Sequence, residues 1–258
     1  MAVVTLTTDF GTTDPFVGIM KGVILARAPG TSIVDLVHDL PPQNVRAGAL
    51  VLRQAMPYFP PGTIHVVVID PGVGGARRPL CVETAGAFLV GPDNGVLSLA
   101  APAVDIRRIV HLTHELFLLS PRSATFHGRD IFAPVAAALA AGTPSIALGP
   151  EVPDMQRIEF PPVVQEGAGL RGEVLWVDRF GNLVTNVTQE ALGGFPPRDV
   201  SISIRGVRLR GIATSYSDVS TGEPVALVNS WGHLEIAVRD GSAAAVLTAG
   251  IGEAVRVT

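Results

Sequence analysis

Ile64-His65-Val66-Val67-Val68-Ile69, followed at once by Asp70-Pro71-Gly72-Val73-Gly74-Gly75, decides how the chain is read. All but His65 in the first stretch are apolar and β-branched, with no polar alternation. A strand of this texture is buried on both faces, which calls for helices above and below a sheet. The loop behind it is rich in glycine and opens on a carboxylate. It sits at the carboxyl end of the strand, where open α/β sheets bind their ligands.

Upstream, residues 3–7 are a short apolar run ending in the turn signal Thr8-Asp9-Phe10-Gly11. Asp14 followed by Pro15 predicts a helix start, N-cap then N1. Phe16, Ile19, Met20, Val23 and Ile24 follow at helical spacing, and Gly30 can close the helix. Residues 33–37 read as the next strand. Asn44 caps a second helix through Ala47, Leu50, Val51 and Ala55, stopped by Pro60-Pro61-Gly62. A further helix is expected over 129–141. This alternation predicts an α/β domain over residues 1–162, a sheet flanked by helices.

Past Pro162 the texture changes. Residues 165–169 read as a linker. Short strands are expected at 172–177, 183–187, 200–204, 207–212, 224–229, 233–238 and 254–257, separated by turn residues. That is the pattern of a small all-β, barrel-like domain, assigned to 163–258.

Composition narrows the function. With 47 % hydrophobic and 16 % charged residues the chain is globular. A formal net charge of -4 gives no pull toward nucleic acid. No apolar stretch is long enough for a membrane span, and no signal peptide is recognised, so a cytoplasmic protein is expected. Cys81 is the only cysteine, which excludes an internal disulfide or a cysteine metal cluster. Lys21 is the only lysine, so a phosphate-binding G-x-x-x-x-G-K loop is absent.

Several residues are placed to do chemistry. Asp9 and Asp70 each follow a strand, and each can equally be a turn residue. His127 stands at a helix entry in Thr125-Phe126-His127-Gly128-Arg129-Asp130, where it can act or merely cap. His111, His114 and Glu115 lack the spacing of a helical zinc pair, and no metal is expected. His38, His65 and His233 read as strand or strand-edge residues without sequence-local partners. Asp178-Arg179-Phe180-Gly181-Asn182 joins a carboxylate, a ring and an amide, and reads equally as a hairpin turn.

Taken together, Thr8–Gly18, Ile69–Gly74, Gly91–Gly95, Thr125–Asp130, Asp178–Asn186 and Asn229–Val238 resemble the S-adenosyl-L-methionine hydroxide adenosyltransferases, relatives of the bacterial fluorinase and chlorinase. The resemblance covers essentially the whole chain. It implies hydrolysis of S-adenosyl-L-methionine to adenosine and L-methionine by attack of hydroxide at ribose C5′. The cofactor is here the substrate, and no other cofactor is implied. Asp70, Arg77 and His127 match the family's water-handling triad. Asp9 matches the residue on the ribose hydroxyls. Asp14, Asp178 and Ser230 match the methionine end, and Phe180, Asn182 and Tyr216 the adenine. The family also implies a homotrimer with the substrate between subunits.

Two alternatives stand beside this reading. In the halogenating relatives a tyrosine replaces Asp70, and the fluorinase has a serine at the position of Gly128 and arginines at those of Trp231 and Val238. A carboxylate at Asp70 repels a halide, which favours hydroxide. A non-catalytic module binding S-adenosyl-L-methionine or adenosine would need no triad.

Overall fold

A computed structural model describes all residues, 1–258. The chain forms two compact units, Met1–Glu159 and Phe160–Thr258.

The first unit contains β1 (Val3–Thr8), α1 (Phe16–Arg27), β2 (Ser32–Val37), α2 (Val45–Ala55), β3 (Thr63–Val68), β4 (Pro79–Thr84), β5 (Ala87–Pro92), β6 (Ile106–His111) and α3 (Ala133–Ala140). Its sheet has the order β2-β1-β3-β5-β4-β6. β3 is buried along its whole length, as its unbroken apolar sequence requires. Alternate residues face opposite sides. Ile64, Val66 and Val68 join one core with Val17, Met20 and Ile24 of α1 and Phe132, Val135 and Ala136 near α3. α2 lies close to Ile69: a Cβ on Gly48 would come within 2.7 Å of the Ile69 side chain.

The sheet is parallel through β2-β1-β3-β5, and β4 runs antiparallel to both β5 and β6. The reason is local. Only Ala85 and Gly86 join β4 to β5, too few for the crossover that parallel strands need. At α1, Pro15 rather than Asp14 takes the cap position, and no side chain caps the helix. Asn44 does cap α2, accepting from the Ala47 N–H at 3.0 Å.

The second unit contains β7 (Val164–Glu166), β8 (Gly169–Val177), β9 (Leu183–Thr188), β10 (Ser201–Ile204), β11 (Val207–Arg210), β12 (Pro224–Val228), β13 (His233–Val238), the short helix α4 (Ala243–Val246) and β14 (Ala254–Val257). The order is β11-β10-β14-β8-β9-β13-β12. The Ala213 N–H donates to the Ala226 carbonyl at 2.8 Å, tying the segment after β11 to β12. The two ends of the order thus meet, and the antiparallel sheet is nearly a barrel around Val174, Leu183, Ile202, Leu234, Ile236 and Val255. The expected linker at 165–169 is instead a hairpin: β7 pairs with β8 across Gly167, whose φ is +60°. No helix in the chain is long and apolar enough to cross a membrane.

Candidate active site

Asp9 and Asp70 stand just past the carboxyl ends of β1 and β3, two adjacent parallel strands. His127 arrives from far along the sequence, and the glycine loop explains how. Gly74 has φ +75°, and a side chain there would collide with the Ala124 carbonyl oxygen. The bare backbone of the loop therefore packs directly on the segment that carries His127. His127 immediately precedes a π-helical turn, Gly128–Phe132, which leads into α3.

These approaches bring Asp70, Arg77 and His127 together. Arg77 Nε donates to both Asp70 carboxylate oxygens at 3.0 and 3.1 Å, and Nη2 also donates to Oδ2. Both side chains are nearly buried, 9 % and 4 % exposed, so the pair is little screened. Arg77 Nη2 lies 2.7 Å from His127 Nδ1. A guanidinium can only donate, so Nδ1 accepts and the His127 proton sits on Nε2. Burial, and then the Arg77 charge, hold the His127 pKa below its usual 6.5, while Asp70 and Asp130 act in the opposite sense. The neutral ring presents one N–H donor. The Arg77 guanidinium also stacks 5.5 Å from the centre of the Phe132 ring.

A cavity of about 230 Å³ opens beside this cluster, lined among others by Asp9, Gln43, Asp70, Phe126, His127 and Gly128. Phe10, Phe16 and Phe126 meet edge to face, with centroids 5.2 to 6.0 Å apart. Gly128 is packed against them. A Cβ there would come within 3.1 Å of Met20 Sδ and 3.2 Å of the Phe126 ring.

The second unit gathers Asp178, Phe180, Asn182 and Tyr216 around a cavity of about 590 Å³, with Val238 and Arg239. Asp178 Oδ1 accepts from the Phe180 and Asn182 N–H groups, and Oδ2 accepts from Asn182 Nδ2 at 2.9 Å. Asp178 therefore builds its own turn, with Gly181 at φ +84°, and in doing so fixes Asn182. The Tyr216 hydroxyl donates to Glu235 Oε1 at 2.7 Å, so its proton is already engaged while its ring is exposed on the cavity. Burial, and then Glu235, push the Tyr216 pKa up.

Not every expected site residue joins these clusters. Asp14 is exposed ahead of α1 and lines neither cavity. Ser230 is exposed in the Asn229–Gly232 turn and also lies outside the cavity lining. Two other residues carry the architecture unannounced. Gln43, at φ +65°, aims its N–H at Asp9 Oδ2, 2.7 Å away. Glu235, 3 % exposed, holds both Tyr216 and Asn229 Nδ2. A glutamate at mid-strand among apolar residues was the only trace of the latter. His65 has a spatial partner instead of a sequence-local one, Thr5; His38, expected to lack local partners, meets both the distant Thr8 and, three residues before it, Asp35.

An α/β unit with a buried carboxylate–guanidinium–imidazole cluster, followed by a near-barrel with an open aromatic pocket, defines a two-part small-molecule enzyme. The N-terminal domain of the SAM hydroxide adenosyltransferases matches residues 4–149 and their C-terminal domain residues 172–256. The chain belongs to this family. It is 44 % identical over 242 residues to the (R)-S-adenosyl-L-methionine hydrolase of Thermus thermophilus, covering 91 % of each chain. A fluorinase of Actinoplanes sp. is more distant, at 26 % identity over 91 % of this chain and 90 % of its own. The crystal structure of an uncharacterized conserved protein from Thermotoga maritima superposes with a TM-score of 0.93 at 35 % identity, covering 98 % of this chain and 99 % of that one.

Proposed function

We propose that this protein hydrolyses S-adenosyl-L-methionine to adenosine and L-methionine, with the (R) configuration at sulfur that the names of its hydrolase relatives specify. The observation that carries this reading is the charged cluster of Asp70, Arg77 and His127 beside a cavity that Asp9 also lines. The sulfonium is already a good leaving group, because methionine departs neutral. What needs help is the nucleophile, since bulk water has a pKa of about 15.7.

A water held between Asp70 and the His127 Nε2–H is oriented by one acceptor and one donor. Its oxygen attacks C5′ as the C5′–S bond breaks, and that electron pair stays on sulfur. The proton passes to the Asp70 carboxylate and then to solvent. Arg77 stabilises the hydroxide-like oxygen by charge, in a site where little water screens it. Positioning in line with the breaking bond lowers the entropic part of the barrier. No metal or further cofactor enters these steps.

On the same reading Asp9 holds the ribose hydroxyls. Asp14, Asp178 and Ser230 take the methionine end, and Phe180, Asn182 and the Tyr216 ring take the adenine. A cytoplasmic homotrimer, with each site shared between neighbouring subunits, completes the proposal. The exposure of Phe180 at 77 % supports a recognition surface that something else covers. Light scattering of the purified protein tests the trimer directly.

The decisive experiment incubates pure protein with a mixture of both sulfur epimers, in halide-free buffer with a chelator, and separates the products. Adenosine and methionine should form, with the (R) epimer consumed first. Added chloride should leave adenosine the main product. Diversion of most product to 5′-chloro-5′-deoxyadenosine, or no turnover of either epimer, sinks the reading.

A further inference from the structure

The chain's only lysine and one of its buried histidines belong to a single hydrogen-bonded line that ends under the site. Lys21 Nζ on α1 donates to Asp35 Oδ2 at 2.5 Å. Asp35 Oδ1, on β2, lies 2.9 Å from His38 Nε2. His38 Nδ1 lies 2.9 Å from Thr8 Oγ1, the last residue of β1. Thr8 is fully buried and His38 is 6 % exposed.

The proton positions follow from the partners. Burial alone would raise the Asp35 pKa, but the hydrogen bonds from Lys21 and His38 outweigh it and hold the carboxyl below its usual value. An ionised carboxylate only accepts, so His38 Nε2 carries a proton. In the single-proton form of the ring Nδ1 is the acceptor, and the Thr8 hydroxyl donates to it. The same oxygen accepts from the Phe10 N–H at 3.3 Å. Thr8 therefore bridges the histidine to the backbone on the far side of Asp9. The His38 carbonyl makes a second tie, accepting from the Gly11 N–H at 2.8 Å.

Asp9 is the residue enclosed by these bonds. Thr8 is pinned before it, Phe10 and Gly11 after it, and the Gln43 N–H fixes its carboxylate at 2.7 Å. We infer that His38 is a positioning residue that, through Thr8, holds the Asp9 carboxylate in its substrate-binding orientation. The inference rests on the reading of Asp9 as a ribose contact. His38 touches no reacting atom. Its loss frees Asp9 without disturbing Asp70, Arg77 or His127, so it acts on substrate binding and not on the chemical step.

The test compares His38→Phe and Thr8→Val with Asp9→Asn by steady-state hydrolysis of S-adenosyl-L-methionine. Thr8→Val keeps the branched shape that suits β1 and deletes only the hydroxyl, so it carries the test even if His38→Phe does not fold. Each relay variant should raise KM about tenfold with kcat changed less than about threefold, the pattern of lost ground-state binding. His38→Asn, whose side-chain carbonyl can still accept from Thr8, should restore most of the KM. Thr8→Val combined with Asp9→Asn should raise KM little beyond Asp9→Asn alone, because both act through one contact. A folded relay variant with unchanged KM, a fall in kcat at constant KM, or additive effects with Asp9→Asn overturns the inference. If Asp9→Asn itself leaves KM unchanged while the wild type turns over, the ribose assignment fails. If the wild type does not turn over, the proposed reaction fails.

Discussion

In the first unit, Asp70, Arg77 and His127 satisfy one another. The carboxylate takes the guanidinium, the guanidinium takes the imidazole, and both charged groups are nearly buried. In the second unit, Phe180 is 77 % and Tyr216 44 % exposed; Asp178 is engaged in shaping its turn, and Glu235 of β13 takes the Tyr216 hydroxyl. On the proposed function, the contrast separates two tasks. Groups that act on developing charge are preorganised, because reorganisation during reaction costs rate. Ring faces that meet a base need only be presented, because stacking tolerates adjustment.

The contrast breaks most readily at the cluster. Asp70→Asn or Arg77→Ala should lower kcat by roughly a hundred- to ten-thousand-fold, with KM little changed. Asp70→Asn combined with His127→Ala should cost little more than the worse single change, since the groups act as a unit. Near-normal turnover in Asp70→Asn would make Asp70 a turn residue.

Next comes Phe180→Ala, which should raise KM about tenfold at constant kcat if the ring stacks a base. A fall in kcat of similar size would erase the distinction between the two units.

A third probe sharpens the electrostatics. His127 is held below 6.5, so it stays neutral in the folded protein as pH falls through that value. The acid limb of kcat should therefore lie below pH 6.5. The unfolded chain takes up this proton first, so falling pH between 6.5 and the folded value removes stability. Arg77→Gln deletes one cause of the lowering, and NMR titration of the His127 ring should show its pKa move up. The buried His65, lowered to about 4 by burial alone, gives the same sign over its own range.

The smallest effect is expected from Tyr216→Phe. It keeps the ring and removes the donor to Glu235, so KM should change less than about threefold while urea denaturation shows a loss of about 1 kcal/mol. A large rise in KM would mean that the hydroxyl itself contacts the substrate.

Much of this was legible in the sequence, for identifiable reasons. The run from Ile64 to Ile69 could only be a buried strand, and β3 is buried throughout. Asn44 announced its helix and caps it. The direction of β4 was hidden because it is set by a two-residue turn, Ala85-Gly86, and by no pattern within the strand itself. Asp178 shows a different limit. Its turn-forming and site-forming readings were set against each other, yet the structure gives it both a turn and a place on the cavity wall. Gln43 was invisible because its contribution is a backbone N–H at positive φ, which no side chain advertises.

The packing at Gly128 bears on how such sites diversify. Met20 and the Phe126 ring leave too little room for a Cβ without yielding by a few tenths of an ångström, and Phe126 is in turn held by Phe10 and Phe16. A serine placed there would press first on the Met20 side chain and the Phe126 ring. Substitution at this one position is therefore coupled to the hydrophobic floor beneath it, and directed evolution that installs a serine at Gly128 should recover accompanying changes at Met20 and Phe126.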